Sequence, residues 1–418
     1  MAKFSFIHAA DLHLDSPFKG VIGEAPNIGE AIYSATFDAF ESLVNLCIEK
    51  KVNFLLIAGD VYDSRDRSLR AQLKFRDGLE RLCHNNIEVF VVHGNHDPLQ
   101  GWSSHITWPS KTHIFSAEEV ETLSFEIEGE TVAYISGISY KEAQETRNLA
   151  RLFQRKNQEI FNIGLLHCSV GKNPAHENYA PCTLDDLLDR GLDYWALGHF
   201  HEKAILTRYP HVVYPGNIQG RHIKESGERG CYLVEVSEAG EITTDFYPLD
   251  TIRWLTLYQS IDNFNTVDQL DHALLRLLDR HRDEVKPRSL ICNVTLTGRC
   301  PLYTDLAQGG AVEALLQRLR DSNAHSVPFA LIQRLMVNCG PEFDIESIKN
   351  GKDFSSQVVR VAEDLIQQNI EEKLKPVLAS LYGNTRVRQF LTYPNTETLK
   401  LLIEGAQHLC LHKLDEES

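Results

Sequence analysis

Three short apolar runs, Phe4–Ile7, Phe54–Ile57 and Val89–Val92, each lead into a polar cluster: Asp11-Leu12-His13, Gly59-Asp60-Val61-Tyr62-Asp63 and Gly94-Asn95-His96-Asp97. Continuous runs of four or so β-branched and aromatic residues suit strands buried on both faces. Between them, Ile32, Phe40, Leu43 and Cys47, and then Leu69, Leu73, Leu79 and Leu82, recur at helical spacing. Strand, helix, strand, helix, strand predicts a parallel sheet with right-handed crossovers. The polar clusters then fall at the carboxyl ends of the strands, where open α/β sheets hold their ligands.

The pattern changes after residue 100. Leu123–Ile127 and Thr131–Ile135 flank Glu128-Gly129-Glu130 and read as a hairpin, Ala143–Ile160 as an exposed charged helix, and Ile163–His167 as a buried strand. A helix at Leu184–Arg190 precedes strands at Tyr194–Leu197, Val212–Tyr214 and Cys231–Val236, the last joined through Glu238-Ala239-Gly240 to Ile242–Tyr247. The fold class expected is α/β, a two-sheet α/β sandwich over residues 1–250. A boundary is placed near Pro248–Asp250. Beyond it come a smaller α+β domain over residues 251–340 and a helical segment over residues 341–418. The α+β part carries strands at Trp254–Tyr258 and Ser289–Thr297 and helices at Val267–Asp283 and Ala311–Arg320. Helices are expected at Val358–Ile370, Leu374–Tyr382 and Thr396–His408, with a frayed acidic end.

A length of 418 residues fits two or three domains, and no apolar stretch reaches the roughly 20 residues that cross a bilayer. No membrane partner is expected, and with no signal segment at the start the expected location is cytoplasmic. Nine scattered cysteines without C-x-x-C spacing point to free thiols. A net charge of −16 argues against strong independent DNA binding, although two divalent ions would place about four positive charges where a phosphate sits.

Asp11 and His13 lie two apart at a strand end, so in an extended chain both side chains project to one side. His199 and His201, in Gly198-His199-Phe200-His201, repeat that spacing, and His167 adds another imidazole. Asp60 has two oxygens with which to bridge two ions, and Asn95 offers a neutral amide oxygen. Mixed carboxylate and imidazole donors suit manganese, iron or zinc better than calcium. With Asp60 shared, the seven residues supply four protein ligands per ion, an open arrangement with room for a bridging hydroxide and substrate oxygens. A lone Asp-x-His or Gly-Asp is usually just a turn, and only the conjunction carries weight. His8, Asp15, His93, His105 and His176 have no place in the set and read as surface or packing residues.

The ordered set D-x-H, G-D, G-N-H-[DE], H and G-H-x-H resembles the calcineurin-like metallophosphoesterase superfamily over roughly residues 3–250. The resemblance implies that Asp11, His13, Asp60 and His201 hold one metal and Asp60, Asn95, His167 and His199 the other. It implies that His96 faces the leaving oxygen as acid or hydrogen-bond donor, and that Asp63 occupies the place of the carboxylate that fixes its tautomer. Some archaeal nucleases carry a histidine at that place. Arg221 and His222, after Gly216-Asn217-Ile218-Gln219-Gly220, read either as a solvated loop or as a phosphate-contacting rim.

Ile7–Pro17 and the stretch from Tyr214-Pro215-Gly216-Asn217 to Gly230-Cys231-Tyr232 are similar to the DNA repair exonuclease branch, which includes the nuclease subunit of SbcCD and the bacterial YhaO family. In that branch a capping domain follows the catalytic one. The implied function is a manganese-dependent DNA exonuclease or endonuclease, working by two-metal hydroxide attack on the phosphodiester. The implied partner is an SMC-like ABC-type ATPase with a coiled coil, and a second copy of the chain, as a homodimer, is a further candidate. Two alternatives stay open: a phosphatase or small-molecule phosphodiesterase on the same site, or a metal-stabilised scaffold for the ATPase. Val358, Val359, Val361, Leu365, Ile370, Leu374, Val377 and Leu381 either complete the capping domain's own core or dock that ATPase.

Overall fold

In a computed structural model the described residues are 2–18, 26–63, 67–101, 105–171, 179–262, 264–323, 326–340, 342–368, 370–382 and 393–416. The first parallel strands form where the apolar runs predict them. β1 (Phe4–Ala9), β2 (Phe54–Ala58) and β3 (Glu88–Val92) alternate with helices α1 (Pro26–Lys50) and α2 (Leu69–His84). A short β4 (Thr112–Ile114) extends this sheet in parallel, and β11 (Gly230–Val236) and β12 (Ile242–Pro248) add to its other edge antiparallel, giving β12-β11-β1-β2-β3-β4. The second sheet contains β5 (Glu121–Ile127), β6 (Glu130–Gly137), β7 (Phe161–His167), β8 (Tyr194–Gly198), β9 (Ala204–Arg208) and β10 (His211–Tyr214). Its order is β5-β6-β7-β8-β10-β9, parallel through the middle with antiparallel edges. Both hairpins expected from the turn residues are present.

Strand alternation assigns each apolar side chain to a layer. Phe4, Phe6, Phe54, Leu56, Phe90 and Val92 meet Phe125, Ile135, Ile163, Leu165 and Tyr194 between the two sheets. The residues between them, Ile7, Ala9, Leu55, Ile57, Val89 and Val91, face Phe40, Leu43, Val44, Phe75 and Leu79 of the helices. On the far side of the second sheet Leu166, Trp195, Leu197 and Val212 pack on Phe153 and on Leu187 of α3 (Leu184–Leu188). Three packed layers give the strand ends at one rim little freedom to move, which matters for what they carry.

The segment 143–160 does not form the expected helix. Leu149, Ala150 and Phe153 are buried in a single 3-10 turn, Leu149–Leu152. The Arg155 guanidinium donates to the carbonyls of Asn157, Gln158, Ile160 and Gly191 and pairs with Asp193. Side-chain donors satisfy the loop carbonyls, so a helical ladder is not needed.

After β12 come β13 (Ile252–Ser260), α4 (Val267–Val285), β14 (Ser289–Arg299), α5 (Tyr303–Leu306), α6 (Ala311–Asn323) and β15 (Ala330–Gly340), the strands forming a third sheet in the order β13-β14-β15. The helical end comprises α7 (Ile345–Lys349), α8 (Phe354–Gln367), α9 (Ile370–Tyr382) and α10 (Thr396–Glu416). The helix α10 runs beyond the expected His408 to Glu416, taking in Asp415 and Glu416 of the acidic end expected to fray. By compactness one unit comprises Met1–Leu257, Leu275–Val294 and Gln317–Arg334, and the other Tyr258–Leu274, Thr295–Leu316 and Leu335–Ser418. Within the first unit Trp254, Ile291, Phe329 and Leu331 pack on Phe18 and on Ile28 and Ala35 of α1. Within the second, Ala362, Ile370, Leu399 and Ile403 join α8, α9 and α10. No helix among the described residues is long and apolar enough to cross a membrane.

Candidate metal centre

The strand β1 ends at Ala9, and the chain then turns instead of staying extended. Asp11 (φ 51°), His13 (φ 44°), Asp60 (φ 50°) and His199 (φ 106°) all lie in the left-handed region that side chains rarely adopt. Alternation along a strand is therefore not what brings Asp11 and His13 together. Paired main chains do it: Asp11 N–H donates to Gly59 O at 3.0 Å, His13 N–H to Asp60 O at 3.0 Å and Leu14 N–H to Val61 O at 2.9 Å. His199 N–H donates to the Asp11 carboxylate at 3.1 and 3.2 Å, tying the second sheet's loop to the first.

Asp97 fastens the third loop. Its buried carboxylate accepts from Val61 N–H (2.8 Å), Gly94 N–H (2.8 Å) and His93 Nδ1 (2.8 Å). The Arg67 guanidinium donates to the Asp97 and Pro98 carbonyls at 2.7 and 2.8 Å. Glycines allow the loops to touch. A Cβ on Gly94 would sit 2.4 Å from Asp60 Oδ1 and 2.8 Å from His167 Nε2, and one on Gly198 would sit 1.8 Å from the Ala58 carbonyl oxygen.

These constraints converge acceptor atoms on a small space. Asp11, His13 and His201 offer ligand atoms within 4.8 Å of one another, as do Asp11, Asp60 and His167, and His13, Asp60 and His96. His13 Nε2 lies 3.2 Å from His201 Nε2. Asp60 Oδ2 lies 3.5 Å from His167 Nε2 and 3.9 Å from His13 Nε2. His167 Nδ1 donates to the Ala58 carbonyl at 2.9 Å, so its Nε2 carries a lone pair, and that lone pair faces Asn95 Oδ1 at 3.0 Å. The ring of His199 lies 5.2 Å from that of His167.

Electrostatics agree with this geometry. Burial and the neighbouring Asp60 charge push the Asp11 carboxyl well up, and burial raises Asp60 to about 6. Burial first, then the Arg221 charge, lowers His13, and burial lowers His167 to about 4. Those imidazoles are neutral near neutral pH, the form a metal ligand must have. Buried carboxylates, neutral imidazoles and an amide oxygen with lone pairs aimed inward fit divalent cations, which would relieve the carboxylate repulsion.

His96 sits at the edge, its side chain 41% exposed, with its N–H on Asp60 Oδ1 at 3.0 Å. Its Nδ1 donates to the main-chain carbonyl of Asp63 at 2.9 Å, whereas the Asp63 carboxylate is 4.0 Å away. The carboxylate expected to orient His96 instead accepts from Arg221 Nη1 at 2.6 Å and lies 3.1 Å from His13 Nδ1. Arg221 is not on an open rim. It is buried, donating also to Ser16 Oγ at 3.0 Å and, through its main-chain N–H, to Glu225 Oε2 at 2.7 Å. His222 is half-buried, with Nε2 3.5 Å from Glu225 Oε1.

Glu225 and Asp97 carry much of this framework and were not among the expected site residues. Asp97 stood in the Gly94–Asp97 cluster, where its position was the available signal; Glu225 had none. Burial favours protonating Glu225, but the His201 hydrogen bond and the Arg221 charge outweigh it and hold the carboxyl far below its ordinary range. His8 and His93 are packed, His8 between the Tyr194 hydroxyl and the Leu197 carbonyl. His105 is exposed, and Asp15 accepts from Ser68 Oγ at 2.6 Å, while His176 lies outside the described residues.

Comparison with known proteins agrees with this arrangement. The calcineurin-like phosphoesterase family matches residues 4–203, and the middle domain of metallophosphoesterase YhaO matches residues 254–339. Metallophosphoesterase YhaO of Bacillus subtilis is 36% identical over 337 residues, 80% of this chain and 82% of the relative. The DNA double-strand break repair protein Mre11 of Sulfurisphaera tokodaii is 26% identical, covering 58% of this chain and 62% of its own. That of Thermoplasma acidophilum is 25% identical, covering 59% and 68%. With the ordered motifs, the two-sheet fold and these matches in agreement, the chain belongs to the calcineurin-like metallophosphoesterases.

Proposed function

We propose that this chain is a divalent-metal-dependent phosphodiesterase acting on DNA. Asp11, His13, Asp60 and His201 hold one ion, and Asp60, Asn95, His167 and His199 hold the other. The observation that carries the reading is the pair of facing acceptors, His167 Nε2 and Asn95 Oδ1, 3.0 Å apart with the imidazole proton committed to Ala58. The position of Asp60 Oδ2 between His13 and His167 supports a shared ligand. Bound ions of this kind acidify a water and polarise the phosphoryl group.

The rest is done by the chain. The bonds from the His96 main-chain N–H to the Asp60 carboxylate and from its Nδ1 to the Asp63 carbonyl hold His96 at the exposed edge, where it donates a proton to the departing oxygen. Mixed oxygen and nitrogen donors suit manganese, iron or zinc, and manganese is the ion proposed. The choice of DNA draws support from the repair proteins named Mre11 among the relatives.

A second reading, a phosphatase or small-molecule phosphodiesterase, is favoured by the net charge of −16 and by the burial of Arg221 against carboxylates, which removes it as an open phosphate contact. Purified protein with manganese, assayed on single-stranded, hairpin and duplex DNA and on mono- and bis(4-nitrophenyl) phosphate, tests both. DNA cleavage that EDTA stops and manganese restores supports the first. Monoester turnover without DNA cleavage selects the second, and no turnover with a full ion complement leaves the scaffold reading.

The partner in this proposal is an SMC-like ATPase docked on the helical end. Val359 and Ile370 are buried there, but Val361, Val377 and Leu381 are exposed. Phe354, Val361, Leu365, Leu374 and Leu402 line an apolar groove of about 560 Å³ between α8, α9 and α10. A groove of that kind takes an amphipathic helix.

A further inference from the structure

We infer that Glu225 is a positioning residue of the first ion's site, acting on His201 directly and on His13 through Arg221 and Asp63. The inference rests on the two-ion reading above and goes beyond it, because Glu225 belongs to neither ligand set.

Glu225 ends a 3-10 turn, Ile223–Glu225, and is 3% exposed. Its two oxygens have different duties. Oε2 accepts the main-chain N–H of Arg221 at 2.7 Å, closing the turn on itself. Oε1 accepts from His201 Nδ1 at 2.6 Å and from Arg221 Nη2 at 3.4 Å. Arg221 passes the connection on, with Nη1 donating at 2.6 Å to Asp63 Oδ1, which in turn lies 3.1 Å from His13 Nδ1. A line of carboxylate, guanidinium and carboxylate, buried at Glu225 and Arg221 and half-buried at Asp63, thus runs behind the two imidazoles whose Nε2 atoms are 3.2 Å apart.

Each link has a consequence for the ligand in front of it. A carboxylate on the far nitrogen of an imidazole fixes the tautomer, so His201 presents an Nε2 lone pair, and it makes that nitrogen a stronger donor. Two carboxylates against one guanidinium leave one negative charge behind the His13 and His201 pair. The second ion's His167 has a neutral partner instead, the Ala58 carbonyl. His13 and His201 therefore differ from His167 in what stands behind them, and removing the Glu225 carboxylate should weaken one ion and spare the other. A purely structural Glu225 would disturb both alike, or neither.

The test is calorimetric titration of the metal-free full-length chain with manganese chloride. Glu225→Ala should lower the affinity for one ion by about 10- to 100-fold, the usual cost of losing an outer carboxylate, and leave the other unchanged. The same ion should be the one weakened in His201→Ala. Adding Glu225→Ala to His201→Ala should then cost less than Glu225→Ala alone, only the part that reaches His13, while adding it to His167→Ala should cost its full amount. Should Glu225→Ala not fold, Glu225→Gln decides: the amide keeps the acceptor for the Arg221 N–H but removes the charge. Weaker binding of one ion with unchanged melting of the metal-free variant supports the role. Wild-type affinity for both ions in the variants, or equal weakening of both, overturns it. A wild-type chain that binds no manganese overturns the two-ion reading itself, a different result from a wild type that binds two ions and variants that match it.

Discussion

Gly94→Ala tests the centre with the smallest possible intrusion. The added methyl would meet Asp60 Oδ1 at 2.4 Å and the His167 imidazole at 2.8 Å, against an ordinary contact of 3.4 Å. Relief therefore needs Asp60 to shift by about 1 Å and His167 by about 0.6 Å, and neither is loose. Asp60 Oδ1 holds the His96 N–H at 3.0 Å, and His167 Nδ1 is bonded to Ala58 at 2.9 Å. Overpacking of this kind costs about 1–3 kcal/mol, with about 1 kcal/mol more if the His96 bond breaks. Metal ligation is less forgiving, since donor distances tolerate only about 0.2 Å.

The expected outcome is thus two unequal effects. The metal-free variant melts a few degrees lower, by roughly 2–4 °C per kcal/mol for a unit of this size. The stabilisation that manganese gives, ~2.7 kcal/mol at one hundred times its dissociation constant, disappears. Hydrolysis of bis(4-nitrophenyl) phosphate falls by about two orders of magnitude or more, as a 1 Å misplacement does. Gly29→Ala in α1 is the control: nothing lies within 4 Å of its added carbon, so it should keep full turnover and gain up to about 1 kcal/mol. Manganese stabilisation and turnover at wild-type levels in Gly94→Ala would refute the assignment of Asp60 and His167 as donors.

His96→Ala should lower turnover by about two to four orders of magnitude while both ions still bind; loss of an ion by elemental analysis would recast His96 as a ligand. Asp63→Asn should cost less, because His96 is held by the main-chain carbonyl and not by that carboxylate, and turnover falling as far as in His96→Ala would contradict this. Burial lowers His8 from 6.5 to about 3, the Leu197 carbonyl partly opposing, so the fold holds it neutral. The unfolded chain takes up that proton first, and stability present above pH 6.5 is lost as pH falls towards 3, by ~2 kcal/mol at pH 5. Urea unfolding with EDTA at pH 7 and pH 5 should show that loss in the wild type and a smaller one in His8→Gln; equal slopes would exclude His8. Val361→Asp with Leu402→Asp, both on the exposed groove, should abolish co-purification with a coiled-coil ATPase and leave phosphodiester turnover intact, and retained binding places the docking surface elsewhere.

What was legible in the sequence was local or ordered. Phe4–Ile7, Phe54–Ile57 and Val89–Val92 are short, apolar and followed by polar clusters, and burial on both faces makes such runs strands whatever lies around them. Residues 143–160 misled because their charges suggested a solvated helix face. In the fold Glu145 and Arg155 turn inward, Arg155 serving carbonyls from residues 157 to 191, while Arg147, Arg151, Lys156 and Glu159 stay exposed. Spacing did predict that Asp11 and His13 converge, but for a reason the chain does not use, since both have left the strand and turned left-handed against Gly59 and Asp60. Asp63 shows the deeper limit. A residue's place in a motif says which loop it stands on, not whether its carbonyl or its carboxylate does the work, and that choice was made by Arg221, 158 residues away. Glu225 is bonded to a histidine 24 residues before it in the chain, with the β9–β10 hairpin between them. Ligands lie on strand ends and inherit the regularity of the strands; the groups behind them are recruited from loops wherever a buried charge needs a partner, and only the packed fold brings those together.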